Sequence, residues 1–261
     1  MKKYGTIFTE AICLVHFKIT RKEAIHMENK FNMTLEDNIF WAKRNIVDTI
    51  YKNAKLEGIN ITFPQTEAIY NGSTVSDISV NDIEKVLGMK HAWEFIIQTI
   101  HEKVNYSYIC EIHKLCAVDV PIGLRGKLRN VPVNIGGTKW QPVFPIESQI
   151  KEELEEILKV TNPTECALTI MFWLMRRQMF LDGNKRTAML LANKILIANG
   201  CGIVAIKEND LEEFGKMLIH YYETGEMENI KDFIYQNEIS GFDSNNVIKS
   251  TDFILIYKIF Y

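Results

Sequence analysis

Apolar residues recur every three or four positions along most of this chain, the spacing of helices that bury one face. The two strongest runs meet end to end. Ala167, Ile170, Met171, Leu174 and Met175 mark one, opened by Asn162-Pro163; Ala188, Leu191, Ala192, Ile195 and Leu196 mark the other, which Gly200 stops. A helix from Thr34, with Glu36 and Asp37 in its first turn, carries Ile39, Phe40, Ala42, Ile46, Val47 and Ile50 and ends at Glu57-Gly58. Thr66 reads as the cap of a short helix. Two further helices are expected over residues 80–87 and 92–104, divided by Gly88, and another over 108–118 that holds His113. Glu152 to Leu158 opens an acidic helix. Beyond Gly200, helices over 211–222 and 227–236 are divided by Gly225.

Residues 121–145 break this rhythm. From Leu128 to Trp140 apolar and polar residues alternate and turn at Gly136-Gly137, which predicts a β-hairpin, and Pro132 suits an exposed edge. With no repeat and no low-complexity linker, the pattern predicts an all-α bundle with one small hairpin, a single domain over residues 27–240 followed by a tail over 241–261. That tail, ending Phe253-Ile254-Leu255-Ile256-Tyr257, reads as strand-like. Residues 1–26 have little periodicity, and Lys22-Glu23 can be encoded by a bacterial ribosome-binding sequence three codons before Met27. They read either as a translated leader or as a real extension; a mature chain beginning near Met1 would refute the leader.

Composition narrows the picture. The 261 residues are long enough for a sizeable core, and a net charge of −3 argues against a nucleic-acid binder. The five cysteines are scattered, with no Cys-x-x-Cys pair, which fits reduced thiols of a cytoplasmic protein better than a zinc site or a disulfide frame. No apolar run approaches membrane-spanning length.

The polar corner between the two strong helices carries the candidate chemistry. In Asp182-Gly183-Asn184-Lys185-Arg186-Thr187, Gly183 and Asn184 can both take left-handed backbone angles, which turns successive N–H groups toward one point. The helix that follows aims its unpaired N–H groups and positive dipole end at the same place, with two cations beside it. Phosphate is the ligand such a corner suits. Asp182 is an oxygen ligand of the kind Mg²⁺ accepts when it already holds phosphates.

Gln178-Met179-Phe180-Leu181-Asp182-Gly183-Asn184-Lys185-Arg186 resembles the signature of the Fic/Doc family: His, any residue, Phe, any residue, Asp or Glu, Gly, Asn, Gly or Lys, Arg. Six fixed positions match. Two depart: the signature's catalytic His falls on Gln178, and a trailing Arg falls on Met189. The resemblance implies a Fic-type helical bundle that uses ATP (or another nucleoside triphosphate) and Mg²⁺ to modify a Ser, Thr or Tyr hydroxyl of a protein. Asp182 would then hold the metal; Gly183, Asn184, Lys185 and Arg186 would hold phosphate; Gln178 and Arg186 would sit at the catalytic centre. The hairpin residues Val133, Asn134, Ile135, Gly136, Gly137 and Thr138 would form the flap that docks the target by strand addition. AMP is the group usually moved, and Lys185 is the variant found in a branch that moves phosphate, so both stay open. A homo-oligomer also stays open.

Many members carry an inhibitory helix with Ser or Thr, three variable residues, Glu, then Gly or Asn. Thr66 and Asn71 match that spacing, but Tyr70 falls where the Glu belongs, so the brake is expected to be lost together with the Arg replaced by Met189. Gln178 cannot take up a proton as imidazole does. A slowed transferase and a non-catalytic nucleotide or partner binder are therefore both compatible with the residues. Of the six histidines, His220 is the best substitute base.

Overall fold

A computed structural model describes residues 27–243; the expected leader and nearly all of the expected tail lie outside the described residues. The helical expectation holds. Among the described residues there are ten α-helices and one pair of two-residue strands.

The helices α7 (Pro163–Arg177) and α8 (Asn184–Ala198) form a hairpin at the centre of the core. Eleven residues of α7 and thirteen of α8 are buried, so neither keeps a solvent face. Helices α1 (Leu35–Arg44), α4 (Val80–Gln98) and α5 (Tyr106–Cys116) pack against α8, and α6 (Glu147–Ile157) packs against α7. Helices α2 (Ile46–Leu56) and α3 (Phe63–Tyr70) lie against α4, while α9 (Leu211–Thr224) and α10 (Glu228–Asn237) pair with each other. Each Leu, Ile or Phe enclosed in such a core contributes about 1.5–3 kcal/mol relative to exposure.

Local chemistry explains where the elements begin. Thr34, Thr62, Ser79, Asn105 and Asn162 each accept a first-turn N–H at the start of α1, α3, α4, α5 and α7. The expected cap at Thr66 is displaced: Thr62 and Gln65 form a reciprocal capping box, and Thr66 lies buried inside α3 with its hydroxyl on the Thr62 carbonyl. The helix expected to run from Thr34 to Glu57 breaks at Asn45, whose side-chain amide donates to the Trp41 carbonyl and ends α1. The two helices expected on either side of Gly88 are one. A Cβ at Gly88 would come within 2.9 Å of the Leu115 carbonyl oxygen and of Val118 Cγ1, so this glycine lets α4 and α5 approach rather than stopping α4.

The paired strands lie away from the expected hairpin. β1 (Ile203–Val204) and β2 (Ile239–Ser240) run antiparallel, Ile203 opposite Ser240. Two buried amides hold β1 in place: Asn193 exchanges hydrogen bonds with Val204, and Asn38 with Gly202. Residues 128–140 form an extended excursion that turns at Gly136-Gly137, with no strand pairing. Pro132 has no N–H to give a ladder, and side chains anchor the excursion instead.

Candidate active site

The chain leaves α7 through a left-handed residue, Gln178, at φ 45°, an uncommon angle for a side chain of its size. Its amide is fully engaged. Nε2 donates to the Met175 carbonyl at 2.6 Å, Oε1 accepts from Asn184 Nδ2 at 3.1 Å, and the Tyr222 hydroxyl bonds the same side chain. Asn184 closes the loop from the other end, giving Nδ2 to the Phe180 carbonyl and accepting the Phe180 N–H on Oδ1. Gly183, at φ 74°, starts α8, and Asn184 is that helix's first residue, so only the glycine takes the left-handed angle expected of both. A Cβ at Gly183 would lie 2.8 Å from Ala117 Cβ.

His113 supports the corner from beneath. It is wholly buried and stacks on Phe180 at 3.8 Å. Its Nδ1 accepts the Gly126 N–H, so Nε2 carries the proton and donates to the Asp182 carbonyl at 2.8 Å. Burial drives its pKa down to about 4, partly offset by the Asp182 carbonyl. This histidine braces the loop.

The start of α8 has no capping side chain, so the N–H groups of its first turn face the corner without one. Asp182 accepts the Gly183 N–H on Oδ1 at 2.6 Å, and its side chain is otherwise largely exposed. That leaves one carboxylate free for a cation that arrives with phosphate oxygens. Among the described residues no three His, Cys, Asp or Glu side chains gather into a metal site of their own.

The two cations of the corner are already answered. Arg186, 1 % exposed, grips Asp119 through both terminal nitrogens at 2.8 Å, and Nη1 also donates to the Cys116 carbonyl at the C-terminus of α5. Glu57 Oε2 lies 3.2 Å from Arg186 Nε, and Glu57 Oε1 lies 3.7 Å from Lys185 Nζ. Lys185 donates to the Leu56 carbonyl as well. Burial works against the charge on Arg186, but the hydrogen bonds to Asp119 and the charge of Glu57 outweigh it and raise its pKa. For Asp119 burial pushes the other way, and the bonds to Arg186 win, holding its carboxyl below the usual range.

Glu57 and Asp119 were not singled out from the sequence. Asn53-Ala54-Lys55-Leu56-Glu57-Gly58 has the spacing of the inhibitory motif, with Asn in place of Ser or Thr. Thr66, four residues before Tyr70, is the position that offers the motif's hydroxyl. The structure corrects this: Tyr70 closes α3 and its carbonyl bonds Lys90, whereas Glu57, just past α2, reaches the corner. The trailing position, Met189, is wholly buried, and Glu57 meets Arg186 and Lys185.

His220 is not a substitute base. It is exposed on α9 and faces Glu226. Tyr222, two residues on and so turned roughly 200° around the helix, is the residue that meets Gln178.

The excursion over residues 128–140 is pinned at both ends. Buried Arg129 donates to the carbonyls of Gln178, Val131, Pro142 and Val143. At the turn Thr138 bonds Glu223, and Trp140 stacks on Tyr222 beneath the Arg176 guanidinium. Val133 and Ile135 are half-buried between exposed Asn134 and Gly136, and Gly137 presses toward Ile219.

Three comparisons bear on this arrangement. The Fic/DOC family model matches residues 103–196, from the start of the His113 region through α8. "Protein adenylyltransferase fic-1" of Caenorhabditis elegans is 27 % identical over 164 residues, 58 % of this chain and 32 % of the relative. "Protein adenylyltransferase Fic" of Nematostella vectensis is 27 % identical over 177 residues, 65 % of this chain and 42 % of the relative. This chain thus spans well under two thirds of these curated relatives. The fold is shared with solved Fic-1 of C. elegans, at a TM-score of 0.65 and 23 % identity over 86 % of this chain and 70 % of that one. A Fic-domain signalling protein from Bacteroides thetaiotaomicron aligns at a TM-score of 0.61 and 22 % identity, covering 71 % of this chain and 75 % of that one. Residues 103–196 thus match the Fic/DOC family model, and the fold is that of solved Fic proteins, with Gln178 standing where the family signature has its histidine.

Proposed function

We propose that this chain binds ATP at the start of α8 and transfers AMP to a hydroxyl of a partner protein, slowly, with Glu57 holding the site closed. The observation that carries this reading is the corner itself. An uncapped helix start, the open carboxylate of Asp182, and the cations Lys185 and Arg186 converge on one place. The relatives named above as protein adenylyltransferases support AMP as the group moved.

In this reading Asp182 would hold Mg²⁺ together with the nucleotide's phosphates, and the ion would supply charge neutralisation there. The main-chain amides of the first turn of α8 and Arg186 would hold the phosphates. The target hydroxyl oxygen would bond the α-phosphorus as the bond from that phosphorus to the oxygen bridging to the β-phosphate breaks; pyrophosphate leaves and the hydroxyl proton passes to solvent water. Gln178 cannot take the hydroxyl proton, and its amide already serves the loop. Losing the base costs about a hundredfold to ten-thousandfold in rate. Positioning and charge stabilisation remain, and they carry most of phosphoryl-type transfer. Residues 133–136, which pair with no strand, are the edge to which a target segment would add as a strand.

A second reading is favoured by the occupied amide of Gln178: a nucleotide or partner binder without chemistry. ATP labelled at the α- or the γ-phosphate, given with Mg²⁺ and lysate from the source cell, separates the outcomes. Label from the α-position on protein, stronger with Glu57→Ala and stronger again with Gln178→His, is expected. Label only from the γ-position means that phosphate is the group moved. ATP binding by calorimetry with no label from either supports the binder. No ATP binding by the Glu57→Ala protein sinks the transferase reading and the nucleotide-binding form of the second, leaving only a partner binder.

A further inference from the structure

The guanidinium of Arg186 has two edges that can each grip a pair of oxygens, and they are in different states. The end-on edge, Nη1 and Nη2, is taken by Asp119 with both bonds at 2.8 Å, and the remaining Nη1 hydrogen goes to the Cys116 carbonyl. On the side-on edge, Nε and the second hydrogen of Nη2 face Glu57 and Asp182. Glu57 Oε2 is 3.2 Å from Nε but so placed that Nε makes no hydrogen bond, and Asp182 Oδ1 is 3.8 Å from Nη2. Arg186 is 99 % buried, so a donor without an acceptor is costly there. Glu57 Oε1 beside it also lacks a hydrogen-bond partner.

The two carboxylates therefore do different things. Asp119 makes a bidentate pair from a largely buried position three residues past the end of α5, with Lys85 Nζ 3.8 Å from the same oxygen. A phosphate entering at the start of α8 has no reason to displace it. Glu57 sits over the side-on edge without satisfying it, on the first residue past α2 and followed by Gly58 at φ 75°. It is the carboxylate that can yield.

We propose that Asp119 is a positioning residue for nucleotide binding: by holding the end-on edge of Arg186 it presents the Nε and Nη2 edge to a phosphate group, which takes the place of Glu57. The inference rests on the nucleotide-binding reading of the corner. Bidentate side-on contact suits a phosphate, whose two oxygens match the spacing of the two N–H groups.

The test compares three full-length proteins: Glu57→Ala, Glu57→Ala with Asp119→Asn, and Glu57→Ala with Asp119→Glu. ATP and adenosine are titrated into each by calorimetry after thermal melting shows it folded. Asparagine keeps the shape of Asp119 but turns one oxygen into a donor facing the guanidinium. It should weaken ATP binding ~10- to 100-fold, the size of a charged hydrogen bond, and leave adenosine binding unmoved. Asp119→Glu should recover most of the loss. Equal ATP affinity in the first two proteins overturns the proposal, as does a parallel loss for ATP and adenosine, which would mark a general loss of structure. A second readout needs no change at Asp119. In the Glu57→Ala protein the NMR signal of the Arg186 Nε–H should move on ATP addition, and a signal unmoved at saturation also overturns the proposal. If Glu57→Ala alone binds no ATP, the nucleotide reading itself falls and takes this inference with it.

Discussion

Two buried arginines flank the signature loop, and their partners differ in kind. Arg129 spends its hydrogen bonds on four main-chain carbonyls, those of Gln178, Val131, Pro142 and Val143. Arg186 spends its own on one carbonyl and the carboxylate of Asp119, with Glu57 alongside. Carbonyls belong to the chain and cannot be exchanged, so Arg129 fixes where the excursion leaves the loop. A side-chain carboxylate can be exchanged for another anion. Burial lowers the pKa of Arg129, helped by the nearby charge of Arg177, whereas the carboxylates raise that of Arg186. The lesson is that a buried cation held by neutral dipoles is architecture, and one held by side-chain anions is a place where binding can occur.

Removing the charge tests this most severely at Arg186. Arg186→Met leaves Asp119 and Glu57 buried beside an apolar group and should cost about 3–5 kcal/mol in urea unfolding. Adding Asp119→Asn to Arg186→Met should return at least ~1 kcal/mol, because one stranded charge is gone. No return would mean that the carboxylates were not paid for by Arg186, and the contrast with Arg129 would lose its basis.

Next in size is the acid response of His113, which joins the Gly126 N–H to the Asp182 carbonyl. Its folded pKa, about 4, is below the ordinary 6.5, so the unfolded chain binds the extra proton between those values. Stability from this group is full above pH 6.5 and lost as pH falls toward 4, by on the order of 3 kcal/mol. Glu238 works in the opposite sense, because burial and its hydrogen bond to Asp210 raise its pKa, so the stability it contributes is lost as pH rises through that value. The parent's stability should therefore be flatter over this range than that of either variant. His113→Gln should lose more of its stability as pH rises from 4 to 6.5 than the parent does, and Glu238→Gln should gain more. Urea midpoints at several pH values decide it; parallel curves for parent and His113→Gln would show that this imidazole is not held neutral.

Arg129→Met should cost about 2–3 kcal/mol, since it strands buried carbonyls. Unlike the loss at Arg186, no single second substitution should restore it, because the stranded groups are main chain. A rescue by any change at Glu153, which binds Arg177 nearby, would break the comparison. The smallest expected effect is that of His220→Ala: within about 0.5 kcal/mol of the parent in stability, and unchanged in label transfer, since the imidazole is exposed and turned from the loop.

The central helices were legible in the sequence because burial on every side leaves dense apolar runs, and Asn162-Pro163 and Gly200 mark their ends. The signature loop was legible because its glycine and its polar run are local features. What was not legible depended on distance in the chain. Gly88 looks like a helix stop until Leu115 and Val118 are placed against it. Glu57 looks like a helix end until α2 is laid beside α8, 129 residues apart at the Lys185 to Leu56 contact. Alternation over 128–140 does signal extended chain, but side-chain anchors such as Arg129 and Thr138 replace the ladder that alternation suggests. Strands of two residues, as in β1 and β2, carry too few positions for any period.

The enclosure of α7 and α8 has one further consequence. Two cylinders walled in by neighbours cannot tilt or slide without opening voids across the whole interior. Any opening of the corner must come from what surrounds them, above all from the short stretch joining α2 to α3. Amide hydrogen exchange should accordingly be slowest along Leu168–Leu174 and Leu190–Leu196, at the rate of global unfolding, and fast around Gly58. The pillar keeps time with the whole molecule, and the gate beside it keeps its own.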